Sequence, residues 1–225
     1  SVGICSSKLI IDGTNKIDTV GDIFTTAFTG TKVGEFEDES KHSLKRYFHG
    51  GCAGAIMYRK AMLDKIGFLD EDFFFFLEDT DLNLRAWLSG WKCIFVPEAV
   101  VYHKVSATNG IMSDITVYHF SRNTEWVWIK NTPLNLMLRY LPQKFIYEMA
   151  SFGYFCILQK KWRPFLKGKV DAFAKLFPML KKRKLVQRSI KLTSAQIKKE
   201  LMPISQYIKG RLACQNDPNS KPTES

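Results

Sequence analysis

The chain has 225 residues, 45% of them hydrophobic, enough to bury a full core and to supply one domain with an appendage. Its five cysteines (Cys5, Cys52, Cys93, Cys156, Cys214) are odd in number and contain no Cys-x-x-Cys pair, which argues against a disulfide scaffold or a zinc site and for reduced thiols in a cytoplasmic setting. The net charge of +11 is unevenly placed: residues 1–110 carry 12 Lys+Arg against 15 Asp+Glu, whereas residues 111–225 carry 21 against 7. The basic half calls for an anionic partner, and charge alone does not choose between nucleic acid and a phospholipid surface.

The chain opens on Ser1-Val2-Gly3-Ile4-Cys5, without an initiator Met or a basic leader, so it is expected to begin mid-strand with an upstream portion missing. Val2 to Ile11 reads as a strand that ends at the turn dipeptide Asp12-Gly13 and enters a hairpin-like loop. Residues 12–49 are rich in Gly, Thr and charge and read as a long surface excursion with one or two short elements, its acidic cluster (Glu35, Glu37, Asp38, Glu39) solvated. Small residues from Gly50 to Ala55 lead into a strand at Ile56-Met57-Tyr58. They would let either a ligand or a packing helix approach the backbone closely. Arg59 to Ile66 has helical spacing and stops at Gly67.

Four consecutive aromatics, Phe73 to Phe76, must be buried or cover a ligand. Glu78 and Asp79 then start a helix with an apolar stripe at Leu77, Leu84, Leu88 and Trp91 and a stop at Gly90. Trp91 to Pro97 reads as a strand ended by proline, and Ala99 to His103 as a second extended run. Strand, helix and strand alternate, as in an α/β domain. From Ser113 the pattern changes to long amphipathic helices, about Ser113–Lys130, Leu134–Gln159, Pro164–Lys182 and Thr193–Ile208. The most apolar run, Phe145 to Leu158, is too short and too interrupted by Glu148 to span a bilayer. With Lys144, Lys160, Lys161, Arg163 and the run Lys181 to Lys184 around aromatic residues, these helices would either lie on a membrane or pack as a bundle with a basic outer face. The polar tail from Gln215 to Ser225 reads as disordered.

Asp70, Glu71, Asp72, Glu78, Asp79 and Asp81 place six carboxylates within twelve residues, beside the phenylalanines. Low-dielectric aromatics raise a carboxylate's pKa, while a helix N-terminus favours its charged form, so the two influences compete. The combination suits a base held in a fixed direction. From spacing alone, Asp79 reads equally well as a simple cap and Asp81 as a first-turn acid.

The ordered set Gly51-Cys-Ala-Gly-Ala-Ile-Met-Tyr-Arg-Lys60, Ile66-Gly-Phe-Leu-Asp-Glu-Asp-Phe-Phe74, Leu77-Glu-Asp-Thr-Asp-Leu-Asn-Leu-Arg85, Gly90-Trp91 and Val101-Tyr-His103 resembles the second half of family 2 glycosyltransferases, in the rhamnosyltransferase and galactofuranosyltransferase-like branch. Weaker likeness at Val2 to Ile10 and Tyr118 to Asn123 extends it over about residues 1–130. The resemblance implies the acceptor-side half of a GT-A, Rossmann-like α/β domain over residues 1–110, followed by a basic, membrane-associated helical region over 111–214 and the tail over 215–225.

It also implies an inverting transfer from a nucleotide-sugar donor to a lipid-linked or polysaccharide acceptor at the cytoplasmic face of the membrane. Asp79 would be the general base with Glu78 beside it, and Gly50, Gly51, Asp81 and Trp91 would line the acceptor site. A divalent metal, Mg or Mn, would offset charge on the leaving diphosphate. His103, 24 residues after Asp79, stands where several branches of the family place a histidine ligand. His42, His49 and His119 have no comparable place. The family's Asp-x-Asp does not follow a strand here, and Asp79-Thr-Asp81 belongs to the acceptor-side motif. The main metal ligands are therefore expected outside this sequence, and the chain alone is expected to bind nucleotide sugar weakly and to be inactive. The competing reading is a basic module that binds membrane or nucleic acid without catalysis, with nucleic acid the less favoured partner. A two-carboxylate glycosidase does not fit, because Glu78 and Asp79 are adjacent and point in different directions.

Overall fold

A computed structural model describes residues 1–104 and 112–216. The longest early apolar run forms the central strand β1 (Val2–Ile11), and Gly13, at φ +74°, takes the turn that Asp12-Gly13 signals. One edge of β1 pairs antiparallel with two short strands, β2 (Ile17–Thr19) and β6 (Ile56–Tyr58). Its other edge pairs in parallel with β7 (Lys92–His103), which in turn pairs antiparallel with β5 (Arg46–Phe48). A separate hairpin joins β3 (Gly21–Phe24) to β4 (Gly30–Val33).

The two extended runs expected after Gly90 are one strand. Val96 pairs with Ser7 and Val100 with Lys8, so Pro97, Glu98 and Ala99 bulge out between adjacent ladder positions. A proline lacks the N–H for the ladder, and the bulge absorbs it without ending the strand.

The expectation for residues 12–49 was wrong in kind. Four strands lie in this stretch, and Ile17, Val20, Phe24 and Phe28 are fully buried. Its acidic cluster is partly paired, Glu35 with Arg211 and Glu37 with His42. The largest core cluster joins Phe24 and Phe28 to Phe73, Leu84 and Leu88, and continues into Trp126, Leu136, Met179, Ile197 and Leu201. One core thus runs across residue 110.

Helix α1 (Lys60–Ile66) ends at Gly67, whose φ of +84° confirms the expected stop. Helix α2 (Glu78–Leu88) follows, with Leu84 and Leu88 in the core. Ser113 caps α3 (Asp114–Asn131) by accepting the Thr116 N–H. The later helices are more broken than their spacing suggests. α4 (Leu134–Phe152) passes into a π-helical turn at Gly153–Leu158. The third expected helix divides at Lys175 into α5 (Trp162–Ala174) and α6 (Leu176–Ser189), with Pro178 in the first turn of α6, where a missing N–H is tolerated. The fourth divides before Pro203 into α7 (Ser194–Glu200) and α8 (Ile204–Asn216). The backbone of α8 takes in the first two residues of the expected tail, and residues 217–225 lie outside the described residues. No helix among the described residues is long and apolar enough to cross a membrane.

Candidate active site

The four phenylalanines do not behave as one buried block. Phe73 is fully buried, Phe74 is 82% exposed, and Phe75 and Phe76 are half-buried. The chain needs this uneven placement to turn sharply into α2: Phe74, Phe76 and Leu77 all take positive φ, between 60° and 66°. Each such residue costs about 1–2 kcal/mol. Compensation comes from α3. The side-chain amide of Asn123, itself fully buried, donates to the carbonyls of Phe73, Phe75 and Phe76 at 3.1, 2.8 and 2.6 Å. Arg122 donates to the carbonyls of Asp72 and Phe73 and, through Nε, to the Asn123 side-chain oxygen, which fixes the amide's orientation.

This turn delivers Asp79 to the second position of α2, with Leu77 in the capping position and no side-chain cap. Asp79 is therefore not the N-cap. One carboxylate oxygen accepts its neighbour Thr80's N–H at 2.7 Å, and the other accepts the N–H of Ala53 at 3.0 Å, across to the small-residue turn. Glu78 is half-buried, and its Oε2 has no hydrogen-bond partner among the described residues. Burial, with Asp79 adding to it, raises the Glu78 pKa.

Gly50 and Gly51 serve packing. A Cβ on Gly50 would stand 2.5 Å from the Asn83 side chain, and one on Gly51 would stand 2.7 Å from Ser6. Asn83, buried on α2, then donates to the Gly51 carbonyl at 2.8 Å. Of the two readings of the small residues, close helix packing accounts for Gly50, whereas Gly51 packs against the strand residues Ser6 and Ile56.

Asp81 is fully buried, and its oxygens are taken by Arg85, Lys130 and Asn131, each at 2.9 Å. Lys130 also pairs with Asp70, and Lys182 with Asp70 and Asp72, so this network ties α2, α3 and α6 to the turn before Phe73. No face of Asp81 is left for an acceptor, which corrects that expectation. Trp91 is also misplaced by the expectation. It follows the far end of α2, whose last residue, Leu88, lies about 14 Å along the helix from Asp79, and it packs against Gly3 and Met62.

Around Asp79 the structure gathers Asp22, which carried no signal in the sequence, with Cys52 and Tyr58 of the small-residue motif. Asp22 on β3 keeps part of its surface open, yet protein surrounds its carboxyl; burial first and Asp79 second push its pKa up to about 7, against the pull of Lys32. Burial and Asp79 likewise push the Cys52 thiol up to about 12, and they raise the Tyr58 hydroxyl well above its ordinary value. Asp79 thus sits beside an acid, Asp22, whose pKa the fold brings to about 7.

His103 ends β7 on the other side of the same turn. Its Nδ1 lies 3.0 Å from Asp18, and its Nε2 lies 3.5 Å from where a Cβ of Gly54 would be. A carboxylate on one ring nitrogen is the arrangement that orients a histidine to offer the other to a metal. Among the described residues no three His, Cys, Asp or Glu side chains converge as a metal site. A metal could therefore draw one ligand here, His103, and would need its others elsewhere.

His49 lies in the core between Phe24 and Trp87. Its Nδ1 accepts the Phe24 N–H at 2.9 Å, and Nε2 faces Glu200 at 3.3 Å. Burial lowers its pKa to about 4 despite Glu200, so at neutral pH it is a structural imidazole. His119 is enclosed by Phe74, Phe75 and Tyr118. His42 contacts Glu37.

The family described as Glycosyl transferase family group 2 matches residues 4–184. Over 63 residues the chain is 33% identical to the N-acetylglucosaminyl-diphospho-decaprenol L-rhamnosyltransferase of Mycobacterium tuberculosis, with the same figures for strains CDC 1551 and H37Rv. That stretch is 28% of this chain and 20% of the relative, so the chain spans about a fifth of the length of these curated relatives. The family match covers most of the chain, including both the Asp79 turn and the helices that hold it, and on that basis the chain belongs to glycosyl transferase family group 2.

Proposed function

We propose that the protein transfers a sugar from a nucleotide-sugar donor, with inversion, to a hydroxyl of a lipid-linked or polysaccharide acceptor, and that Asp79 is the general base. The observation that carries this reading is the tethering of the Asp79 carboxylate between the N–H groups of Ala53 and Thr80. Two fixed donors leave the carboxylate's remaining lone pairs aimed in a set direction, as proton removal from a positioned hydroxyl requires. Neighbouring acids with raised pKa values, Asp22 and Glu78, reduce the number of full negative charges that the site must hold beside it.

Asp79 takes the acceptor hydroxyl's proton as its oxygen attacks the anomeric carbon from the face opposite the nucleotide diphosphate, which leaves with the electrons of the broken bond in the same displacement. Glu78 is the adjacent carboxyl on the chain, and its raised pKa lessens the negative charge beside the base. A bound Mg or Mn ion would stabilise charge on the leaving diphosphate, with His103 as this chain's ligand, held by Asp18.

The test is transfer by the full-length natural protein of labelled sugar from a panel of nucleotide sugars to prenyl-diphosphate-linked and oligosaccharide acceptors, with anomeric configuration read by NMR. An inverted product is expected. A retained configuration, or release of sugar to water only, would overturn the reading.

A further inference from the structure

Helices α4 and α5 are drawn together from within. Glu125 of α3 pairs with Lys144 of α4 and Lys169 of α5, and Glu148 of α4 pairs with the same two lysines. Tyr140, Tyr147, Phe165 and Ala172 are buried with them on the inward sides. The other sides have no cover. On α4, Leu134, Leu138, Leu141, Phe145, Met149 and Phe152 recur every three or four residues, each at least 39% exposed. Ile157 and Leu158 continue the exposed row through the π-helical turn, and α5 repeats the spacing with Trp162, Leu166, Val170 and Phe173. Apolar rows of this extent mark an interaction surface on a soluble fold.

The charge around these rows is one-sided. Residues 134–189 hold thirteen Lys and Arg against two acids, Glu148 and Asp171. Glu148 is taken by the two lysines of the inner seam, and Asp171 accepts the Tyr118 hydroxyl at 2.7 Å. Arg139, Lys160, Arg163, Lys167, Lys175 and Lys181 remain exposed, and this segment offers them no outward-facing acid. A partner for this surface must therefore be apolar and anionic together. Nucleic acid supplies phosphates but nothing to cover aliphatic rows such as Leu138, Leu141 and Val170, and a second copy of the chain would bring cations against cations.

We propose that the α4–α5 surface docks on an anionic lipid bilayer, with both helices lying along the interface, their apolar rows in the headgroup–acyl boundary and their cations on lipid phosphates. This inference stands apart from the sugar-transfer chemistry and rests on different residues.

Co-sedimentation of the whole chain with vesicles of equal parts phosphatidylglycerol and phosphatidylcholine, against phosphatidylcholine alone, tests it. Binding to the mixed vesicles is expected to be at least about tenfold tighter, and to weaken as salt rises. The pairs Phe145→Ser with Met149→Ser, and Val170→Ser with Phe173→Ser, lie at exposed positions and should each lower binding about tenfold without changing the circular dichroism spectrum. Lys160→Glu with Arg163→Glu should remove the preference for the anionic lipid. If a variant fails to fold, the parent protein still decides the matter, through its preference for the mixed vesicles and the loss of that preference as salt rises. Equal binding to both vesicle types, apolar variants that bind like the parent, an oligonucleotide that competes fully with vesicles, or a serine pair that only dissociates an oligomer would each overturn the proposal.

Discussion

Asn123 on α3 holds the carbonyl of Phe76 at 2.6 Å, one residue ahead of the left-handed Leu77 that opens the Asp79 helix. The same amide serves two further carbonyls of the turn, so a residue from the helical region fixes the direction in which the α/β region points its carboxylates. Asn123→Ala would leave the partly buried carbonyls of Phe75 and Phe76 without this donor, while Phe73 keeps Arg122, at a cost of about 1–3 kcal/mol for each group that water cannot reach. A loss of about 2–4 kcal/mol in urea unfolding is expected, together with a fall in kcat larger than any change in KM. A stability change under about 0.5 kcal/mol would show that the turn holds itself.

Replacing the carboxylate while keeping its shape separates chemistry from packing. Asp79→Asn retains an oxygen for either the Ala53 or the Thr80 N–H, and the fold should survive with its thermal midpoint little changed. The transfer rate should fall by about 10²–10⁴-fold, the usual contribution of a positioned base. Near-parental kcat in the folded variant would remove Asp79 from the mechanism.

Two buried groups with opposite responses to pH should mask each other. Asp22, raised to about 7, makes the folded state bind more protons than the unfolded chain between about pH 4 and 7, so its contribution to stability declines as pH rises through that window. His49, lowered to about 4, makes the folded state bind fewer protons between about pH 4 and 6.5, so its contribution grows as pH rises over almost the same span. The parent protein should therefore show a shallow profile there. Asp22→Asn unmasks His49, and unfolding free energy should climb from pH 4 to 6.5 by at most about 1.4 kcal/mol per unit. Urea titrations at several pH values would detect it, and a profile unchanged by the substitution would contradict the raised Asp22 pKa.

Gly50→Ala tests the close contact between α2 and the small-residue turn. The new methyl would meet Cβ, Cγ and Nδ2 of Asn83 at 2.5–2.6 Å. Overpacking of this kind costs about 1–3 kcal/mol, a midpoint lowered by about 2–10 °C in a chain of this size. An unchanged midpoint would mean that the turn moves freely.

Much of this architecture was legible in local pattern. β1, the Gly67 stop and the starts of α2 and α3 follow from period and punctuation that act over a few residues, and the ordered motifs from Gly51 to His103 pointed to the family. What stayed hidden depends on contacts between distant parts of the chain. Asp22 looked like one acid in a polar excursion, because only the fold brings β3 beneath Asp79. Asp79 and Asp81 stand two residues apart, yet about half a turn of helix carries Asp81 to another face, against Lys130 and Asn131. The phenylalanine run was expected to be buried or to cover a ligand; hydrophobicity says nothing of φ, and three residues of positive φ sent Phe74 outward. The breaks in the later helices were signalled by Pro178 and Pro203 but overridden by the long apolar period.

The chain's late segment closes its early one. Met202 bonds through its N–H and C=O to Phe24 and Thr26, and Glu200 accepts the Trp87 indole N–H while facing His49. A growing polypeptide on the ribosome makes Phe24 and Trp87 long before Glu200 exists. Until that last segment emerges, the polar edge of the Phe24, His49 and Trp87 stack stands open, and the strand end at Phe24 has no partner for its carbonyl. Contacts separated by more than a hundred residues form slowly, so the nascent enzyme should depend on protection during synthesis more than its final packing suggests.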